Sequence, residues 1–290
     1  MAPSTIIDLR SYRQADYKRI ATDLHSDISL ANITFNRLRP TISRGLLQEY
    51  IRFLSQLQST GGSIAHAGSI KKVRFIAIKS SNPDFFNLGL DLARVKHAAI
   101  TKDEARLRSY ADLTTTALWE TYRPSFPATT IALVQGNATG AGFEFALACD
   151  YIIAEEKAKF SFPEATFDLF AGFGGLSFLA RKVGVRIAKK IVGSGKVYTA
   201  KELHKLGVVD VVAQDNGGIV ALYKFTKDSL PTVNSMQAIN NSSKIIHKLE
   251  HDELVKIGEL WVETVMKLSP ANLEKIDSLI RAQNPIERTA

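Results

Sequence analysis

Two glutamates twenty residues apart carry the chemistry that can be read from this chain. Glu144 lies in GNATGAGFEFALACD, between Phe143 and Phe145, in a run that reads as an apolar helix from Phe143 to Cys149. Glu164 follows Pro163 in FSFPEATF. A carboxyl group withdrawn from water among apolar side chains is harder to ionise, so its pKa moves up toward the range useful for general acid–base work. Two such acids beside one ligand could divide proton removal from proton delivery. The plainer alternatives are a helix-start carboxylate capping backbone N–H groups for Glu164 and a buried structural acid for Glu144.

Both acids lie near glycine-bearing turns. Gly89 stands in FFNLGLDL just ahead of a helix start, and Gly140 and Gly142 frame Ala141 at the head of the Glu144 helix. First-turn N–H groups of a helix have no partner within it, and their dipoles favour negative charge. Two of these turns, brought together, would make an oxyanion hole in which a carbonyl could become an enolate.

The elements that must position these residues are legible from periodicity. Ile131 to Gln135 reads as a buried strand, and residues 6–35 as short strands with polar turns. Residues 43–57 read as a helix with Leu46, Leu47, Ile51, Leu54 and Leu57 on one face. STGGSIAHAGS, residues 59–69, reads as a flexible loop before a strand at 73–78. Thr101 to Glu104 spells a capping box opening a helix to about Tyr122, a segment that could roof a ligand or simply pack Leu107, Leu113 and Leu118. A second capping box at 199–202 precedes a helix and a strand at 208–212. Beyond Leu230 the strand signals vanish. Helices are expected at 252–268 and 270–283, the second with Ser269 as N-cap and Pro270 first. Their stripes, Leu254, Ile257, Trp261 and Val265, then Leu273, Ile276 and Ile280, must be buried against something. Alternating strands and helices make the fold class α/β.

At 290 residues and 45% hydrophobic, the chain can bury a sizeable core. No apolar run is long enough for a membrane helix, and no cleavable apolar leader is evident, so a cytoplasmic protein with no membrane partner is expected. The single cysteine, Cys149, rules out an internal disulfide framework and reads as core packing. With 37 basic and 29 acidic side chains the net charge is +8, spread along the chain rather than massed. That balance suits a solvated basic face or an acidic partner, and no aromatic–basic interleaving points to nucleic acid. His247 and His251 spell H-x-x-E-H, yet six scattered histidines offer no third ligand, so no metal is expected. GSGK at 193–196 lacks the length of a P-loop, and no nucleophile elbow occurs.

IALVQGNATGAGFEFALACDYIIAEE, then FPEATFDLFAGFGG, then YTAKELHKLGVVDVV resemble, in order and spacing, the enoyl-CoA hydratase/isomerase (crotonase) superfamily over about residues 70–215. Three blocks, FNLGLDLA (86–93), FPEATFDLFAGFG (162–174) and LWVETVMKLSPANLEKIDSLIRAQ (260–283), resemble the diffusible-signal-factor synthases within it. The resemblance implies a crotonase-like spiral of ββα units over residues 1–228 carrying the site and a C-terminal helical region, 229–290, used for assembly into trimers or hexamers. It implies Glu144 and Glu164 as the catalytic pair, Leu90 and Ala141 as oxyanion-hole donors, and Gly89, Gly140, Gly142, Phe173 and Gly174 against the substrate, with no cofactor. It further implies dehydration of a 3-hydroxyacyl thioester on acyl carrier protein to a cis-2-enoyl thioester, then hydrolysis to the free acid. An enoyl-CoA hydratase acting on acyl-CoA and a non-catalytic acyl- or protein-binding homologue are the alternatives; the two retained acids weigh against the latter. The chain departs from the pattern at Leu90, where synthases read glycine and hydratases alanine, at Ala141 in place of glycine, and at Ala171, where proline often stands. A backbone donor tolerates any side chain except proline, but a leucine at position 90 must occupy space near the thioester.

Overall fold

A computed structural model describes residues 7–8, 17–35, 39–66 and 68–283. Among these the chain runs through β1 (Ile7–Asp8), β2 (Ala21–His25), β3 (Leu30–Phe35), α1 (Arg44–Ser59), β4 (Ser63–His66), β5 (Ser69–Lys72), β6 (Phe75–Ser80) and β7 (Phe85–Asn87). Next come α2 (Leu92–Thr101), α3 (Glu104–Tyr122), β8 (Thr129–Val134), β9 (Asn137–Thr139), α4 (Ala141–Ala148), β10 (Tyr151–Glu155) and β11 (Lys159–Ser161). A 3₁₀ turn (Pro163–Phe167) leads to α5 (Gly175–Val183), α6 (Val185–Gly193), β12 (Val197–Thr199), α7 (Ala200–Lys205) and β13 (Val211–Ala213). The rest is helical: α8 (Gly218–Ser229), α9 (Val233–Ile246), α10 (His251–Met266) and α11 (Pro270–Gln283).

The strands FIAIKS, TTIALV and YIIAE are apolar on both faces, which suits the middle of a parallel sheet covered on each side. They lie in a six-stranded sheet of order β13-β10-β8-β6-β3-β2, antiparallel only between β2 and β3. Successive side chains alternate between faces. Ile76, Ile78, Ala132, Val134 and Ile152 enter the main core, while Phe75, Ala77, Ile131, Leu133 and Ile153 pack on the other side with Leu222 of α8.

Each of these strands is followed by a short strand of a second sheet and then by helix: β6–β7–α2, β8–β9–α4, β10–β11 and the 3₁₀ turn before α5. This is the expected spiral of ββα turns in an α/β fold. The second sheet has the order β12-β11-β9-β7, with β7, β9 and β11 mutually parallel. Three adjacent parallel strands end at one edge, so the turns after Asn87, Thr139 and Ser161 fall side by side despite their separation in sequence.

Several local readings are corrected. Residues 59–69 are not a plain loop, because β4 and β5 pair antiparallel and β1 joins β4. The glycines there, Gly61, Gly62 and Gly68, turn the chain at positive φ, and the residues between them are left free to pair. The following strand starts at Phe75 rather than Val73. Thr101 does not cap α3: it ends α2, Lys102 takes a left-handed C-cap, and Asp103 accepts from Arg106 N. The strand expected from Val208 begins at Val211, because Val208 N and Val209 N both turn back onto Leu203 O. The 199–202 capping box is present, with Glu202 and Thr199 bonding each other's backbone.

The C-terminal stripes fold back on the chain itself. Leu254, Trp261 and Val265 of α10 are buried, as is Ile276 of α11, whereas Ile257 is half-buried and Gly258 takes the buried place beside it. α10 packs on α3, and α11 on α2 and the 3₁₀ turn. Leu107 and Leu118 of α3 are core residues, so that helix packs rather than roofs a cavity. No described helix is long and apolar enough to cross a membrane.

Candidate active site

The β7–β9 pairing matches Phe85 to Asn137, and the β9–β11 pairing matches Phe160 to Ala138, which sets three turns in a row. At the first, Gly89 has φ +83°, and a Cβ there would lie 2.9 Å from Thr139 O and 3.3 Å from Ala141 N. Only glycine allows the two turns this close.

The backbone donors of the first turn are nearly all satisfied. Leu88 N donates to Pro40 O (2.8 Å), Gly89 N to Asn87 Oδ1 (2.8 Å), Asp91 N to Tyr110 Oη (3.3 Å) and Leu92 N to Gln283 Oε1 (3.2 Å). Leu90 N–H, among the described residues, donates to none. At the second turn Gly140 N donates to Ser161 O (2.9 Å), and Phe143 N and Glu144 N to Gly140 O (2.9 and 3.1 Å). Ala141 N, at the first position of α4, is one of the donors a helix start leaves over. Two available N–H groups thus stand on adjoining turns.

They face a cavity of about 400 Å³. Its wall is mainly apolar, with Leu90, Leu92, Phe167, Leu169, Phe173 and Trp261 prominent, and Glu144 and Glu164 are its only ionisable side chains among the described residues. Gly89, Gly140, Ala141 and Phe173 are also on the wall, as read from sequence. Gly142 and Gly174 are not. Gly142 lies against the backbone of Asn87, and Gly174, at φ +114°, packs on Phe178 and Leu254 behind the wall. Trp261, Leu279 and Gln283 were missed as cavity residues. Trp261 belongs to a stripe that the sequence requires only to be buried against something, and nothing local marks which way a C-terminal helix will turn.

Phe143 stacks on Phe162 with centroids 4.8 Å apart and meets Phe160 at 5.0 Å, pinning α4 to β11 and hence the two acids to one another. Glu144 is 1% exposed. Its Oε1 accepts from Phe173 N (2.8 Å) and Gly175 N (2.7 Å). Burial pushes its pKa up to about 7, held down from further rise by those two N–H groups. Glu164 as a residue keeps some exposure, but its Oε2 is buried and has no hydrogen-bond partner among the described residues. Burial, and next the neighbouring Glu144 charge, raise its pKa to about 8. Its Oε1 hangs over Gly140, where a Cβ would collide with it. The N-cap of the 3₁₀ turn, Phe162, offers no side-chain bond, and the backbone hydrogen bond of the Glu164 carboxyl is to its own N–H. Cys149 is buried with Sγ 3.5 Å from Phe145 O, and burial raises its thiol pKa, as a packing residue's should.

The raised pKa values have a consequence for stability. Both carboxyls bind their proton more tightly folded than unfolded, so their contribution is fully present below about 4.5 and is lost as pH rises through about 7 and about 8. Thermal unfolding of wild type and Glu164→Gln between pH 4 and pH 9 is expected to show a shallower decline in the variant. Parallel curves would mean that Glu164 titrates normally.

The chain matches the family described as Enoyl-CoA hydratase/isomerase over residues 26–222. It is 33% identical over 188 residues to 2,3-dehydroadipyl-CoA hydratase of Escherichia coli (strain K12), covering 63% of this chain and 66% of that one. It is 30% identical over 209 residues to a protein of Bacillus subtilis (strain 168) named Probable enoyl-CoA hydratase, covering 70% and 75%. Mammalian relatives are matched over 45% to 49% of their length. A crystal structure of an enoyl-CoA hydratase/isomerase from Xanthobacter autotrophicus Py2 superposes with a TM-score of 0.72 at 22% identity, over 94% of this chain and 99% of that one, a likeness of fold. With more than half its length inside the family match, this chain belongs to the enoyl-CoA hydratase/isomerase family.

Proposed function

We propose that this protein adds or removes water across C2 and C3 of an acyl thioester through an enolate held by Leu90 N–H and Ala141 N–H. The observation that carries this is the meeting, in one apolar cavity, of two backbone donors without acceptors among the described residues and two carboxyls with raised pKa values. The acyl chain lies along the apolar wall, with the thioester oxygen between the two N–H groups. Glu144, whose anion is stabilised by Phe173 N and Gly175 N, takes the C2 proton. The electron pair moves onto the carbonyl oxygen, where the donors stabilise it. Glu164, still protonated, gives its proton to the C3 hydroxyl; the C–O bond breaks, water leaves and the C2–C3 double bond forms. Hydration runs the same steps backward. Environments that push two pKa values apart divide the acid and base roles in this way.

In its sharper form the substrate is a 3-hydroxyacyl group on acyl carrier protein, and the cis-2-enoyl product is hydrolysed by water to the free fatty acid and the carrier thiol. Support comes from the signal-factor-synthase likeness of residues 86–93, 162–174 and 260–283. An acidic carrier also fits the net charge of +8, with Arg186, Lys189 and Lys190 of α6 exposed. Homo-oligomerisation belongs to the same proposal, with Ile239, Ile245 and Ile246 exposed on α9 as apolar surface for it. The CoA reading draws on the relatives above, whose names are those of CoA hydratases.

Matched 3-hydroxyacyl and 2-enoyl thioesters of carrier protein and of CoA, with products identified by mass spectrometry at two ionic strengths, decide between them. The expected result is faster dehydration of the carrier form with release of free acid, the advantage shrinking in kcat/KM as salt rises. Exclusive use of CoA without free acid selects the hydratase. No turnover of either form sinks the enzymatic reading. Leu90, 6% exposed and on the wall, should limit acyl bulk, so Leu90→Gly is expected to shift the chain-length profile toward bulkier groups while activity persists. An unchanged profile would show that Leu90 does not border the substrate.

A further inference from the structure

Gln283, at the end of α11, reaches 193 residues back along the chain to the turn that carries Leu90. Its Nε2 donates to Leu88 O and to Leu90 O, each at 2.8 Å, and its Oε1 accepts from Leu92 N at 3.2 Å. Both amide hydrogens and a carbonyl lone pair are therefore used, and the side chain is buried. A peptide unit is rigid and planar, so fixing its oxygen fixes the N–H on its other side. Gln283 grips the Leu88–Gly89 unit and the Leu90–Asp91 unit. The unit between them carries the Leu90 N–H, and its own oxygen, that of Gly89, is held by Ile42 N at 2.8 Å. Among the described residues, every backbone N–H and C=O from Leu88 to Asp91 has a partner except the N–H of Leu90, a residue that lines the cavity.

The helix that delivers Gln283 is itself anchored to the element that follows the turn. Lys96 of α2 pairs with Asp277 of α11 at 2.6 Å, and the adjacent Ile276 is fully buried in the main core. Asn272 Nδ2 also donates to Asp168 Oδ2 at 3.3 Å, tying α11 to the segment after Glu164. The cavity wall includes Leu279, Ala282 and Gln283 from the same helix.

We infer that Gln283 is a positioning residue: the C-terminal helix sets the direction of the Leu90 N–H, and turnover depends on it although Gln283 need not touch the reacting atoms. The inference rests on the oxyanion role proposed for Leu90 and Ala141. A donor misplaced by about 1 Å costs on the order of a hundredfold in rate.

The test uses the full-length protein and two variants, assayed with the best thioester of the panel above and by hydrogen–deuterium exchange. Gln283→Met keeps the length and packing of the side chain and removes all three hydrogen bonds. Ala141→Pro removes the other donor at a first helical position, where proline is tolerated. Expected for Gln283→Met are a fall in kcat of about tenfold to a hundredfold, KM within about twofold because ground-state binding is kept, and faster exchange confined to residues 88–92. If Ala141→Pro lowers kcat while Gln283→Met matches wild type in kcat and exchange, the positioning role is overturned and the oxyanion reading stands. If Ala141→Pro also turns over normally, the oxyanion reading falls and this inference with it. A general loss of exchange protection in Gln283→Met, with kcat and KM changed together, would make Gln283 a structural residue and likewise overturn the inference.

Discussion

Replacing Glu144 or Glu164 by glutamine is expected to lower turnover by about a hundredfold or more, in proteins that remain folded. Glutamine keeps the size of the side chain and its ability to accept from Phe173 N and Gly175 N, but it can neither take up the C2 proton nor give one to the C3 oxygen. The variants should differ in a revealing way. Activity needs Glu144 ionised and Glu164 protonated, so wild-type kcat/KM should rise through about pH 7 and fall through about pH 8. With Glu164 gone, the alkaline limb should disappear from whatever rate is left; with Glu144 gone, the acid limb should. In Glu144→Gln the repulsion from the Glu144 charge also ends, so Glu164 should titrate lower than it does beside its partner. Steady-state kinetics from pH 5 to pH 10, with circular dichroism to establish folding, check this. A folded variant with wild-type rates would remove that glutamate from the mechanism.

The second large effect is expected at Gly142, a residue off the cavity wall. A Cβ at this position would collide with the backbone carbonyl of Asn87, at the end of β7, and neither backbone can yield alone. Gly142→Ala must push α4 away from β7, and overpacking of this kind costs about 1–3 kcal/mol. The displacement moves α4, which begins at Ala141, relative to β7, which leads into the turn of Leu90. Turnover per folded molecule should therefore fall beyond the loss of stability, by about a hundredfold for a shift near 1 Å. Denaturant midpoints give the first quantity and kcat corrected for folded fraction gives the second. An unchanged midpoint would mean that the α4–β7 contact is looser than the structure shows. Lost stability with full kcat would mean that the spacing of the two turns does not matter to the reaction.

Much of the architecture was written locally. Uninterrupted apolar runs such as TTIALV can be buried only on both faces, and such strands alternating with helices leave few arrangements besides a covered parallel sheet. Ser43 before α1 and Thr199 with Glu202 before α7 cap their helices as their spelling indicates, because capping is settled within one turn. The same locality misled at Thr101, where the box was spelled correctly but the preceding helix had already claimed the residue. It misled again in residues 59–69, where a glycine-rich run hides a strand pair whose partners lie on both sides of it.

The two acids could be named from sequence because burial is implied by apolar neighbours, and burial is what raises a carboxyl pKa. That Gly89 and Ala141 approach within contact could not be, since their closeness comes from pairing β7 with β9 across some fifty residues. Nor could the lack of an acceptor for Leu90 N–H among the described residues, which depends on Pro40, Tyr110 and Gln283 taking up the other donors of the turn. The C-terminal stripe shows the division most clearly. Its period required that Leu254, Trp261 and Val265 be covered, and they are, but an apolar stripe is satisfied equally by a partner or by its own chain. Only the tertiary structure decided for the chain, carrying Trp261 to the cavity wall and Gln283 to the turn beneath Leu90, because hydrophobic burial is non-directional while the three hydrogen bonds of one amide are not.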